Sequence, residues 1–131
     1  MKFKKYKWST FNTEDSDDII FTEYNSSIKV DLSVAQELVA NRLEFTENRS
    51  HYIIINVSNA KEVTHEAKVY MQNPEAGLKN ILGAAFLASN PVSALFANIF
   101  IKTRKSFPAN FFSNRKDALK WIKELKASFK A

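Results

Sequence analysis

Three adjacent residues suggest chemistry first: Thr64, His65 and Glu66, a hydroxyl, an imidazole and a carboxylate. In a hydrolase such groups act as nucleophile, general base and orienting acid. Their spacing argues against that use, because neighbours on a helix point about 100° apart and three consecutive side chains fan out instead of converging. Thr64 reads instead as a helix cap, and Glu66 as a first-turn carboxylate that suits the helix dipole. The chain has no G-x-S-x-G elbow and no phosphate-binding loop, and its two glycines are Gly77 and Gly83. It has no cysteine, and its two histidines, His51 and His65, cannot alone build a usual zinc site. We therefore expect no enzymatic activity, no metal and no cofactor.

The elements that must position these residues follow from periodicity. A strand is expected within Lys5 to Asn12, and a second over Asp18 to Tyr24, rich in β-branched and aromatic residues. Ile28-Lys29-Val30 continues the opening meander as a short extended piece. Ser33 and Gln36 have capping-box spacing, so a first helix is expected from Ser33, with Ala35, Leu38, Val39 and Leu43 inward. Tyr52 to Val57 is a continuous apolar run, the pattern of a strand buried on both faces. A loop from Ser58 should lead to a second helix capped by Thr64, with Val63, Ala67, Tyr70 and Met71 on one face and a stop near Asn73-Pro74. Leu82 to Ala88 reads as a strand of small residues. Asn90-Pro91 reads as the start of a third helix carrying Val92, Leu95, Phe96, Ile99 and Phe100. Pro108 introduces a last strand, Ala109 to Phe112. Ser113 then caps a closing helix with Ala118, Trp121, Ile122, Leu125 and Phe129 inward.

At 131 residues, 45% of them apolar and 25% charged, the chain has the size and balance of one globular domain over residues 1–131. Strands alternating with helices imply right-handed crossovers and a partly parallel sheet. The net charge of +5 is uneven: Lys2, Lys4, Lys5 and Lys7 are followed by an acidic stretch from Glu14 to Glu23, and the last third is basic. Such charge could draw phosphate-rich partners, but no nucleic-acid-binding motif accompanies it, and nucleic acid is not expected. The apolar stretch from Ile81 to Ile101 is broken by Asn90-Pro91 and reads as a strand plus a helix, not a membrane span. The basic start lacks the apolar run of a secretory leader, so a cytoplasmic location is expected.

The ordered set of Ile28-Lys29-Val30-Asp31-Leu32, Ile53-Ile54-Ile55-Asn56-Val57 leading to Thr64-His65-Glu66-Ala67, the Leu82–Ser89 strand before Val92–Phe100, Phe111-Phe112-Ser113 and Ala118-Leu119-Lys120-Trp121-Ile122 resembles the STAS fold of SpoIIAA-type anti-sigma-factor antagonists. More narrowly, it is similar to small bacterial SpoIIAA-like proteins. The resemblance spans nearly the whole chain. It implies an α/β, STAS-like (SpoIIAA-like) fold with a mixed four- to five-stranded sheet flanked by four helices.

In the SpoIIAA type a serine at the start of the second helix is phosphorylated by a partner kinase, which switches binding to an anti-sigma factor. That motif runs aspartate, serine, serine, glycine. Here the positions read Thr64, His65, Glu66 and Ala67, with Glu66 in the phosphoserine's place, so the switch does not carry over.

The resemblance implies a non-enzymatic regulatory or protein-interaction module that meets an unidentified protein partner through Ser58, Asn59, Val63, Thr64, His65 and Glu66. The rival expectation is a small-ligand or lipid-binding protein whose helix–sheet interior is lined by Phe86, Phe96, Phe100 and Phe112. A homodimer, marked by an apolar edge strand near the N-terminus, is a further alternative.

Overall fold

The computed structural model describes residues 2–88 and 107–130, with side chains as far as residue 128. The chain opens with three antiparallel strands, β1 (Phe3–Lys5), β2 (Ser9–Glu14) and β3 (Ser16–Tyr24). Asp15 turns β2 into β3 with a φ of 71°, a left-handed conformation that aspartate tolerates because its short side chain bonds locally. Along β2, Ser9, Phe11 and Thr13 are buried and the residues between them are half-buried, the two-residue period of a strand with one face on the core.

β4 (Ile28–Val30) leads into α1 (Leu32–Phe45), then β5 (His51–Asn56), β6 (Ala60–Val63), α2 (His65–Met71), β7 (Ile81–Leu87), β8 (Ala109–Phe112) and α3 (Arg115–Lys130). The main sheet has six strands in the order β1-β2-β3-β5-β7-β8, and β4 and β6 form a separate two-stranded sheet. The pairs β3–β5, β5–β7 and β7–β8 are parallel. The first four residues of β5 are all buried, as a central parallel strand requires.

These observations correct the four- to five-stranded expectation. The opening segment divides into two strands, β1 and β2. β4 leaves the meander to pair with β6, a segment read from sequence as loop. Ala60-Lys61-Glu62-Val63 is short and polar at its centre, so its strand character comes from pairing with β4 and not from its own pattern. Three helices lie among the described residues. The third expected helix, with Phe96 and Phe100, lies outside them.

Two helix starts also differ from expectation. Asp31, not Ser33, caps α1, its carboxylate accepting from Val34 N at 2.9 Å. The chain leaves β4 at Val30, so the first free helix donors fall within reach of Asp31. Asn114, not Ser113, caps α3, with its Oδ1 accepting from Asp117 N at 2.8 Å. Thr64 caps α2 as expected, accepting from Ala67 N at 3.2 Å.

The sheet divides two layers of core. Val30, Val34, Leu38, Ile53, Val57, Ala84 and Phe86 pack on the side of α1 and α2. Ile19, Phe21, Tyr52, Ile54, Ala85, Leu87, Ala118 and Ile122 pack under α3. Gly83 lets α3 settle closely, because a Cβ there would lie 2.6 Å from Leu125 Cδ2. No helix among the described residues is long and apolar enough to cross a membrane.

Candidate functional site

On the α1 and α2 side the described residues leave a space in the core. A cavity of about 80 Å³ lies between the sheet and α1, closed at one flank by Met71 and by the Gly77-Leu78 turn. The strand register decides which side chains reach it. Ser9 faces Tyr24 and Phe11 faces Thr22 across β2–β3. Ile53, Ile55 and Val57 alternate along the next strand, and Ala84 and Phe86 follow on β7. Leu38, Val39 and Arg42 on α1 complete the wall from above.

Arg42 is the cavity's one charged wall residue among those described, and it is only 5% exposed. Its Nη1 lies 3.0 Å from His51 Nε2 and donates to the Lys79 carbonyl at 2.7 Å. Its Nη2 donates to the carbonyls of Ala76 and Gly77, at 3.2 and 3.3 Å. His51 Nδ1 lies 2.8 Å from the Arg49 carbonyl. A carbonyl can only accept, so Nδ1 carries the proton, and Nε2 is left to accept from the guanidinium. The imidazole is therefore neutral. Burial and the Arg42 charge pull the His51 pKa down to about 4. Burial also lowers Arg42, to about 10, which leaves it charged at neutral pH. The guanidinium ties the turn at residues 76–79 to α1 and so fixes one end of the cavity.

Sequence reasoning placed neither Arg42 nor His51 in a site. A signal for Arg42 was present: it stands four residues after Leu38 and three before Phe45, in line with the buried face of α1. The expected inward residue Leu43 is only half-buried.

Of the four phenylalanines expected to line an interior, Phe86 does so. Phe112 does not. It pairs with Leu87, one position from the Phe86–Phe111 pair, so strand alternation turns it to the α3 side. There it stacks on Trp121 with ring centroids 5.6 Å apart. Phe96 and Phe100 lie outside the described residues.

The residues expected at a partner surface are close in sequence but serve separate purposes. Ser58 N donates to Asn56 Oδ1 at 3.0 Å, and Asn59 Nδ2 to the Tyr24 carbonyl at 3.2 Å. Val63 ends β6 and does not belong to the α2 face. Thr64 spends its hydroxyl on the cap, while His65 and Glu66 are exposed. No hydroxyl–imidazole–carboxylate relay joins Thr64, His65 and Glu66. No cluster of metal-binding side chains occurs among the described residues.

A crystal structure of an uncharacterised protein from the DUF3478 family with a SpoIIAA-like fold, from Shewanella loihica PV-4, superposes with a TM-score of 0.58 at 13% identity, covering 91% of this chain and 97% of that one. At that identity the likeness establishes the fold, which is SpoIIAA-like α/β. No curated protein matches the chain. A family model does match, over residues 13–126, from within β2 to within α3, and the chain belongs to the family it describes, a domain of unknown function, DUF7793.

Proposed function

We propose that this protein is a non-enzymatic binding protein that takes a small apolar ligand into the cavity beneath α1. The observation that carries the reading is the cavity itself. Interiors pack nearly without voids, and an apolar void left open sacrifices dispersion contacts along its whole lining. A wall of Phe11, Leu38, Ile53, Ile55 and Phe86 offers those contacts to a ligand. Concave, mostly apolar sites with a few placed polar groups are the common form of small-molecule sites. A cytoplasmic site of action is part of this proposal.

A second reading keeps a protein partner at the start of α2. Val69 is 54% exposed and stands one helical turn after exposed His65, so an apolar and a polar group share one outward face.

Native mass spectrometry of the protein purified gently from its own host separates the two. The ligand reading expects a small associated mass that departs on denaturation. A chain that carries another protein and no small mass would favour the α2 surface.

A further inference from the structure

We propose that the cavity's ligand is a slender alkyl chain ending in a single uncharged oxygen group, an alcohol, aldehyde or ketone, and that this oxygen sits at Ser9. The inference rests on the ligand-binding reading above and adds the ligand's class and direction.

The cavity has two unlike ends. It runs along β5 from Ile53 to Val57 just past its end, a span of roughly 13 Å at the rise of a strand. At the Ile53 end stands Arg42. At the other end, where β3 finishes, Ser9 faces Tyr24 directly and Thr22 diagonally, so three hydroxyl side chains gather on one wall.

The Ser9 hydroxyl is the feature that asks for a ligand atom. Ser9 is 1% exposed, and its Oγ has no hydrogen-bond partner among the described residues. A buried hydroxyl left in that state costs about 1–3 kcal/mol. An oxygen at the end of a bound chain would satisfy it and would place the alkyl portion against Ile55 and Phe86.

The opposite end argues against a carboxylate head. The four terminal N–H groups of Arg42 already face His51 and the carbonyls of Ala76, Gly77 and Lys79. None of them remains for a two-point carboxylate contact. Among the described residues, no charged side chain lines the Ser9 end. There, burial pushes the Tyr24 hydroxyl far above its ordinary range, so it stays neutral.

Size sets the chain's length. At about 80 Å³ the space is roughly half the ~150 Å³ cavity that accepts benzene, which limits the ligand to a short chain of about two or three carbons.

Amide-shift titration of the full chain at neutral pH with dissolved propane, 1-propanol and propanoate tests this, in the natural protein and in Ser9→Ala. Because Oγ makes no bond among the described residues, Ser9→Ala should fold normally. The expected result is 1-propanol binding at least about tenfold tighter than propanoate, and a loss of about tenfold for 1-propanol in Ser9→Ala, the worth of one neutral hydrogen bond. The propane affinity should not change in that variant. Propanoate binding as well as 1-propanol, or 1-propanol indifferent to Ser9→Ala, would overturn the proposal while leaving an apolar site in place. Failure of all three probes to bind would overturn the ligand-binding reading itself.

Discussion

His51 Nε2 accepts from Arg42 Nη1 at 3.0 Å, inside the protein and without a carboxylate beside either group among the described residues. The arrangement works only while the imidazole is neutral. A proton on Nε2 would set two cations face to face and remove the acceptor that Arg42 uses.

Stability should therefore fall with acid. His51 titrates near 4 in the folded chain and near 6.5 when unfolded, so below about 6.5 the unfolded state binds the extra proton. The contribution is fully present above that pH, declines as pH falls, and is gone below about 4, for a total of roughly 3 kcal/mol. Urea denaturation at a series of pH values measures it. His51→Gln keeps a donor and an acceptor without a titration in this window, and should flatten the slope; an unaltered slope would place its origin elsewhere.

The two glycines should respond differently to alanine. A Cβ on Gly77 would fall 1.9 Å from the Met71 carbonyl oxygen, which is backbone and cannot step aside. Gly77→Ala should cost at least about 2 kcal/mol by the usual scale of overpacking, and should loosen the turn that Arg42 holds. At Gly83 the obstacle is the tip of the Leu125 side chain. Gly83→Ala should cost about 1 kcal/mol, and much of that cost should vanish in the Gly83→Ala, Leu125→Ala pair. A double-mutant cycle by thermal denaturation reads the coupling; strict additivity would contradict the close approach of α3.

Capping gives a sharper contrast. Asp31→Ala should destabilise the protein by about 1 kcal/mol, whereas Ser33→Ala, within the first turn, should stay within about 0.5 kcal/mol. Chemical denaturation of the two variants side by side suffices, and an equal loss in both would restore the capping-box reading of Ser33 and Gln36.

The pattern along the chain made most of this fold legible. β3, β5, β7 and β8 announce themselves by β-branched or apolar runs, and α1 and α3 by apolar residues at helical spacing. β6 was not legible because its strand conformation depends on β4, which lies some thirty residues earlier. Phe112 was legible as inward-facing but not as to side, since one step of register decides the face. The cavity's outline was not legible, although Phe86 was read as lining an interior. A void is set by how far α1 stands from β5 and β7, and the same leucines and phenylalanines would have filled it at a shorter distance. Ser9 likewise reads as an ordinary strand residue until the register sets it against Tyr24.

The most direct test of the central claim is a pair of amide proton–nitrogen spectra of the labelled protein, with and without xenon, an apolar atom that enters dry cavities. Saturable shifts confined to residues around Ile53, Ala84, Phe86 and Leu38 are predicted. Shifts scattered over the surface, or none, would contradict an accessible apolar site beneath α1.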